Sequence, residues 1–170
     1  MSAHSHREQG AGSITVHVIV VSSTRTEATD VSGKRIAELV VHAGHHVGSH
    51  GVVDDDVEAI RKAVHVHVAA EAQVVVLTGG TGLAPRDVTP EAVEPLFTRR
   101  LDGFGELFRS LSYGEIGAAA MLSRATAGLV GSTIVFVVPG STAACELAVG
   151  RLILPELGHL MRLVRPADRS

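Results

Sequence analysis

The segment at positions 78–82 is rich in glycine and has the composition of an anion-binding loop. Its residues are Thr78, Gly79, Gly80, Thr81 and Gly82. Glycines let backbone N–H groups come close to an anion, and the two threonine hydroxyls add donors. The segment matches neither the phosphate loop that ends in GK[ST] nor the GxGxxG pattern. A phosphate-binding loop and a tight turn without a ligand therefore both stay open.

A basic and an acidic residue follow this loop closely. Arg86 can neutralise a phosphate, and Asp87 can hold a hydrated Mg²⁺, which prefers one or two carboxylates together with substrate phosphates. Thr89, Pro90 and Glu91 have the pattern of a helix start, with Thr89 as its cap. Capping explains these last three residues, but it explains neither Arg86 nor the position of the Arg–Asp pair beside the loop.

Acidic residues in two earlier segments can contribute to the same site. Asp54, Asp55 and Asp56 can supply a second metal-binding carboxylate, or they mark an acidic helix start that complements the helix dipole. Asp30 can face the site, whereas Ser32 is predicted to cap a helix.

Two later segments carry groups that bind anions. Ser123 and Arg124 end a predicted helical stretch that also contains Glu115, and their side chains can reach a phosphate, although a solvated Arg is the simpler alternative. Gly140 and Ser141 follow an apolar run, where they can form a second anion loop and also cap the next helix.

The ten histidines and the single cysteine do not have the spacing of a metal site. His65 and His67 are two residues apart, and positions i and i+2 do not share a helix face. No HExxH motif or cysteine partner accompanies them. Cys145 is predicted to be a packed, unreactive thiol, and one cysteine can form no internal disulfide, which fits a reducing compartment.

The elements that must position these residues alternate between apolar runs and amphipathic stretches. Strands are predicted at 14–21, 46–53, 74–77 and 133–138. Helices are predicted at 32–43, at 57–68, from Pro90 onward, at 101–124 and at 142–163, the last of them kinked at Pro155. Because most strands are continuous apolar runs, the fold class is α/β, with a mostly parallel sheet covered by helices on both faces. Ligands of such sheets bind beyond the carboxyl ends of the strands, where the loops named above begin.

The composition argues against nucleic-acid and membrane partners. Of 170 residues, 45% are hydrophobic and 19% charged, with a net charge of −3, whereas nucleic-acid-binding domains usually carry a basic patch. Aromatic residues make up 3%, too few for base stacking. Residues 1–12 lack the apolar core of a signal peptide, and no apolar run approaches a membrane span. We expect a cytoplasmic protein with one domain, residues 13–165, between tails at 1–12 and 166–170.

Seven segments in order resemble the molybdopterin adenylyltransferase family of MogA/MoaB type, which is related to the G domains of gephyrin. They are DxSG (30–33), AGHHV (43–47), VVDDDVEAIR (52–61), TGGTGLAPRDVTPEA (78–92), GFGELFRSLSYGEIG (103–117), LSRATAG (122–128) and VPGSTAAC (138–145). The resemblance spans about residues 14–160. Its most specific element is TGGTGxxxRDxTPEA.

This resemblance implies a three-layer αβα sandwich of molybdopterin-binding type that assembles as a homotrimer, or in some members as a hexamer. It also implies that the substrates are ATP and molybdopterin, with Mg²⁺. The terminal phosphate of molybdopterin attacks the α-phosphate of ATP, so that adenylyl-molybdopterin forms and pyrophosphate leaves.

The resemblance also assigns roles to single residues. Asp87 matches the essential aspartate of the RDVTPEA motif, and Asp55 matches a second key aspartate, with Asp54 in place of the family's proline. These two carboxylates are the catalytic residues and the Mg²⁺ ligands that the resemblance implies. The positions it implies for binding phosphate, nucleotide or pterin are Thr78, Gly79, Gly80, Thr81, Gly82, Arg86, Asp30, Ser32, Glu115, Ser123, Arg124, Gly140 and Ser141.

The sequence departs from the family pattern at the end of the first strand, where Ser22-Ser23 replaces the usual Ser-Asp. Some MoaB members have lost catalytic activity together with the RDVT residues. This chain keeps Arg86, Asp87 and Thr89, which favours an active enzyme. The alternative is a molybdopterin-binding carrier or assembly protein with weak or no catalysis.

Overall fold

Apolar, β-branched runs form the strands at the centre of the fold, as their side chains favour. The computed structural model describes residues 12–165. Its strands are β1 (Thr15–Val21), β2 (His46–Val53), β3 (Val74–Thr78), β4 (Arg99–Arg100), β5 (Thr126–Val130) and β6 (Thr133–Val138). Every residue of β3 and β6 is buried, because helices cover both faces of the sheet.

The strands lie in the order β2-β1-β3-β6-β5-β4. The first four are parallel, whereas β5 pairs antiparallel with β6 and with β4. The predicted mostly parallel sheet is therefore confirmed. Since β5 is antiparallel, its first residue, Thr126, pairs with Val137 near the carboxyl end of β6. The segment before β5 is thereby brought to the ligand-binding edge of the sheet.

The helices are α1 (Ser32–His42), α2 (Val57–Ala69), α3 (Thr89–Val93), α4 (Asp102–Ile116), α5 (Thr142–Ala148) and α6 (Leu154–Val164). Residues of α1, α4, α5 and α6 form one hydrophobic core with one face of the sheet, and residues of α2 and α3 form a second core with the other face. These two cores make the three layers of the predicted αβα sandwich.

Helix starts follow the sequence in some places and depart from it in others. Asp56 caps α2 by accepting from the Ala59 N–H at 2.9 Å, as an acidic helix start predicts. The predicted caps Ser32 and Thr89 are wrong, because both are the first residue of their helix and neither makes a side-chain cap bond. Their hydroxyls donate to loop carbonyls instead.

The predicted helix at 101–124 was too long. Helix α4 ends at Ile116. Its C-cap, Gly117, has a φ of +63° that a residue with a side chain rarely adopts, and it begins a 3₁₀ segment, Gly117–Leu122. The short strands β4 and β5 were missed, because TAGLV in β5 has a weak apolar pattern. The predicted helix at 142–163 is interrupted by a π-helical segment, Val149–Ile153, just before Pro155, where the missing N–H disturbs the regular bonding.

Apolar residues of α4 and of the 3₁₀ segment after it divide between core and surface. Phe108 is buried and Leu111 packs against the core, whereas Leu107 and Leu122 are more than half exposed.

Tails were predicted at 1–12 and 166–170. All of their residues except Gly12 lie outside the described residues. Within residues 12–165, no helix has the length and apolar character needed to cross a bilayer.

Two histidines meet on one serine at the amino end of the sheet. His17 Nδ1 lies 2.8 Å and His67 Nε2 lies 2.9 Å from Ser49 Oγ, and the two rings are 4.7 Å apart between centroids. The Ala63 carbonyl, 2.7 Å from His67 Nδ1, can only accept. Neutral His67 therefore donates from Nδ1 and accepts from the Ser49 hydroxyl at Nε2.

Stability is expected to fall as the pH drops below about 6.5, the ordinary pKa of histidine. Burial and then repulsion from His67 lower the pKa of His17. The unfolded chain therefore takes up protons at a higher pH than the folded chain, and stability is lost from the unfolded pKa downward. We expect denaturant unfolding between pH 7 and pH 5 to show a shallower pH dependence for His17→Asn, which keeps a donor near Nδ1. Identical slopes would contradict this role.

Candidate functional site

Loops at the carboxyl ends of β1, β2, β3 and β6 enclose a cleft of about 430 Å³. We call it the glycine-loop cleft. It is lined by Val21, Ser22, Thr24, Arg25, Asp55, Gly79, Gly80, Thr81, Gly82, Asp87, Ser123, Pro139 and Gly140. The predicted glycine-rich loop, the two predicted catalytic aspartates and parts of the LSR and PGS segments thus meet in one place, as expected for a parallel sheet.

The backbone of the glycine-rich loop requires glycine. Gly79 and Gly80 have φ angles of +107° and +64°, which residues with side chains rarely adopt. Thr89 fixes this turn, because its Oγ1 donates to the Gly79 carbonyl at 2.8 Å and its N–H to the Gly80 carbonyl at 3.0 Å. Thr78 is buried below the cleft and donates to the Pro139 carbonyl. Threonine hydroxyls therefore brace the loop from beneath.

Asp87 closes one side of the glycine-rich loop. Its Oδ2 accepts from the Ala84 N–H at 2.9 Å. A Cβ atom at position 82 would lie 2.6 Å from this same oxygen, so glycine at 82 makes room for the carboxylate. Among the described residues, Oδ1 has no hydrogen-bond partner, and Asp87 lines the cleft. One carboxylate oxygen thus orients the side chain while the other stays available.

Asp55 is the member of the Asp54–Asp56 run that faces the cleft. Asp54 is exposed outside it, and Asp56 caps α2. Asp55 Oδ2 accepts from the N–H and the hydroxyl of Ser23 at 2.8 and 2.9 Å. In this chain, Ser23 occupies the position of the family's usual aspartate and acts as the partner that orients Asp55.

Arg124 is directed into the protein and holds the glycine-rich loop. Its Nε and Nη2 donate to the Gly82 carbonyl at 3.0 and 2.7 Å, and Nη2 also donates to the Asp87 carbonyl at 2.7 Å. Nη1 pairs with Glu91, and this hydrogen bond lowers the pKa of Glu91. From the sequence, this guanidinium was predicted to reach a phosphate or else to be solvated. In the structure it holds the loop that carries Asp87.

The PGS segment packs against the glycine-rich loop. A Cβ atom at position 140 would lie 3.2 Å from the Gly79 Cα, so a side chain there would push the two loops apart by a few tenths of an ångström. Ser32, which is 2% exposed, donates from Oγ to the Gly140 carbonyl at 2.7 Å. Ser141 caps α5 by accepting from the Ala144 N–H at 3.2 Å, which confirms the predicted cap.

Not all of the predicted site residues line this cleft. Asp30 is buried behind it, where its oxygens accept from the Gly33 N–H and from His50. Glu115 is exposed and lines a separate small cavity of about 160 Å³ with Ser141. Arg86 is exposed, and its side chain makes no hydrogen bond or ion pair to the described residues.

Arg25 was missed in the sequence and supplies a cation at the cleft. Its Nη1 donates to the Gly140 carbonyl at 3.3 Å and approaches Ser32 Oγ at 3.5 Å. Seven residues separate Arg25 from Ser32, and the polar loop between them has no periodicity that would reveal its path. One feature of the sequence could have identified Arg25: it is an arginine in a loop that follows a buried strand at the ligand-binding edge.

Cys145 lies under this site but takes no part in it. The thiol is fully buried beside Thr78 Oγ1 at 3.2 Å. Burial raises the pKa of this thiol to about 11, so it stays protonated at neutral pH. The predicted packed thiol is confirmed.

Groups that favour anions and groups that favour cations meet in the cleft. Backbone N–H groups of a glycine loop and the Arg25 guanidinium favour anions, whereas the Asp55 and Asp87 carboxylates favour cations. Within residues 12–165, no group of three or more His, Cys, Asp or Glu side chains is arranged to hold a metal ion. Two carboxylates suit Mg²⁺ that arrives with substrate phosphates, since those phosphates complete its oxygen ligands.

Comparison with known proteins identifies the relatives of this chain. The family model described as "Probable molybdopterin binding domain" matches residues 17–159. "Molybdenum cofactor biosynthesis protein B" of Bacillus subtilis (strain 168) is 47% identical over 97% of this chain and 98% of its own length.

Solved structures agree with this result. A crystal structure of a molybdenum cofactor biosynthesis protein B has a TM-score of 0.88 at 47% identity and covers 92% of this chain and 98% of its own. The tungsten cofactor synthesizing protein MoaB from Pyrococcus furiosus has a TM-score of 0.82 at 36% identity, over 92% and 99% of the two chains. The fold, the full-length relatives and the family match together make this chain a member of the molybdopterin-binding family of molybdenum cofactor biosynthesis proteins.

Proposed function

We propose that this protein acts in molybdenum cofactor biosynthesis as an adenylyltransferase that transfers AMP from ATP to molybdopterin. One observation carries this proposal: the glycine-loop cleft brings Asp55 and Asp87, from two different loops, to one anion-binding loop. A relative that shares 47% of its sequence over nearly its whole length is named for molybdenum cofactor biosynthesis, which supports the pathway.

In the proposed reaction, an oxygen of the molybdopterin terminal phosphate forms a bond to the α-phosphorus of ATP. The bond between that phosphorus and the bridging oxygen to the β-phosphate breaks, and pyrophosphate leaves. The attacking phosphate is already anionic, so no protein base has to remove a proton. Alignment and charge neutralisation are what the protein must supply.

The residues of the cleft divide this work. The Gly79 N–H is taken by the Val138 carbonyl, so the backbone N–H groups of Gly80–Gly82 bind phosphate oxygens, and Arg25 adds a positive charge at the Gly140 side. Asp55 and Asp87 would hold Mg²⁺ through the oxygens that Ser23 and Ala84 leave available. When bound, Mg²⁺ would neutralise charge that develops on the transferred and leaving phosphates.

The direct test is to incubate the protein with molybdopterin, ATP and Mg²⁺ and to measure pyrophosphate release. We expect release that depends on all three components, and a reaction without molybdopterin is the control. Molybdopterin binding without pyrophosphate release would overturn the proposal and support the carrier instead.

A homotrimer or hexamer and a cytoplasmic location stay predictions. Size-exclusion chromatography with light scattering can test the first, and cell fractionation can test the second.

A further inference from the structure

His50 and Asp30 form a buried pair behind the glycine-loop cleft. Asp30 is 1% exposed, and its Oδ2 lies 2.8 Å from His50 Nε2. His50 belongs to β2, the edge strand, and Asp30 precedes α1 by two residues. A buried carboxylate accepts hydrogen bonds only, so His50 Nε2 carries the proton of this bond. The pair therefore ties the edge strand to the start of α1.

The second oxygen of Asp30 holds the first turn of α1. Its Oδ1 accepts from the Gly33 N–H at 3.0 Å, and this is the role that the sequence assigned to Ser32. A Cβ atom at position 33 would lie 2.6 Å from His50 Nε2, so the glycine is needed for the pair to fit. The position of the α1 first turn thus depends on Asp30, and the position of the Asp30 carboxylate depends on His50.

The first turn of α1 reaches the cleft through Ser32. Its hydroxyl donates to the Gly140 carbonyl at 2.7 Å, and Gly140 in turn packs against Gly79. The Arg25 guanidinium lies 3.3 Å from the same carbonyl. A displaced α1 turn would therefore move both the PGS segment and the cation beside it.

We propose that His50 is a positioning residue for the adenylyl transfer proposed above: it fixes Asp30, and through Asp30 and Ser32 it fixes Gly140 at the glycine-loop cleft. Neither His50 nor its hydrogen-bond partner Asp30 lines the cleft. Replacement of His50 acts through Asp30, whose buried oxygen would lose its donor and turn toward another one.

The test compares His50→Ala with His50→Gln, whose amide nitrogen can take the place of Nε2. His17→Ala is the matched control, because it too removes a histidine side chain that hydrogen-bonds a neighbouring element. His17 lies in β1 and bonds Ser49 of β2, at a distance from the cleft. The first measurement needs no ligand: amide NMR signals and hydrogen exchange of the folded protein. We expect His50→Ala to shift the Gly79 and Gly140 signals and to speed exchange at Gly33, while the other two variants keep the wild-type pattern at these glycines.

The second measurement separates positioning from stability through the steady-state constants. We expect His50→Ala to lower kcat/KM for ATP about 10-fold, mainly through a higher KM, because the loops that bind phosphate are displaced. A loss of folded protein alone would lower kcat and leave KM unchanged. His50→Gln should restore most of the loss.

Two results would overturn the inference: wild-type glycine signals in His50→Ala, or a His50→Gln variant that behaves like His50→Ala. If the wild-type protein released no pyrophosphate, the proposed function would fail, yet the NMR and exchange measurements would still decide whether His50 positions Gly140.

Discussion

Replacing Asp87 with asparagine is expected to lower kcat roughly 100-fold or more, while molybdopterin affinity changes little. The expectation rests on the geometry of the carboxylate. The asparagine side-chain oxygen can keep the bond from the Ala84 N–H, so the loop conformation is retained. The negative charge that faces the cleft is lost, however, and with it the attraction for Mg²⁺ that arrives with ATP.

Pyrophosphate release under saturating ATP and molybdopterin gives kcat, and fluorescence titration gives the affinity for molybdopterin. Asp56→Asn is the matched control: it makes the same change one position from Asp55, but Asp56 caps α2, where asparagine is an equally good cap. We expect the control to keep nearly full turnover. Equal turnover of Asp87→Asn and wild type would show that Asp87 has no role in catalysis.

The centre of the sheet could be predicted from the sequence because β3 and β6 are apolar on both faces. Runs such as VVVLT in β3 can hardly be anything but a buried strand, and the four parallel strands were all found. Parallel strands then bring their carboxyl ends together, so TGGTG and Asp55 could be expected at one edge. The glycine-loop cleft confirms that these residues meet.

The remaining differences come from contacts between residues that are far apart in the sequence. Ser32 and Thr89 have the residue types of helix caps, but their hydroxyls bond the carbonyls of Gly140 and Gly79. A local pattern cannot show that such an acceptor is close by. The antiparallel strand β5 was missed for a similar reason, since pairing with β6 stabilises a segment whose own strand propensity is weak.

Arg124 is the residue whose role depends most on contacts that a local sequence pattern cannot reveal. From the sequence, its side chain was expected at a phosphate or in solvent. The structure places it across the backbone of the glycine-rich loop, where it bonds the carbonyls of Gly82 and Asp87. The antiparallel direction of β5 brings Arg124 there, because the residues before that strand lie at the carboxyl edge of β6.

Replacing Arg124 with alanine is therefore expected to affect both the fold and the reaction. Three charge-assisted hydrogen bonds to two carbonyls would be lost, which lowers the free energy of unfolding by about 2–4 kcal/mol. Without the clamp, Asp87 and the glycine-rich loop lose their relative position, so we expect pyrophosphate release to fall more than about 10-fold. Arg124→Lys should recover little, because an ammonium group cannot reproduce the planar fork of the guanidinium.

Arg165→Ala is the control that separates the two effects. Arg165 also makes three hydrogen bonds to carbonyl groups, those of Glu71, Ala72 and Ser132, but at the opposite end of the sheet. Denaturant unfolding should show a comparable loss of stability in Arg165→Ala and Arg124→Ala, whereas only Arg124→Ala should lose activity when both are assayed fully folded. If the two variants lost activity equally, the effect of Arg124 would be general destabilisation, and its clamp on the Asp87 loop would have no special part in the reaction.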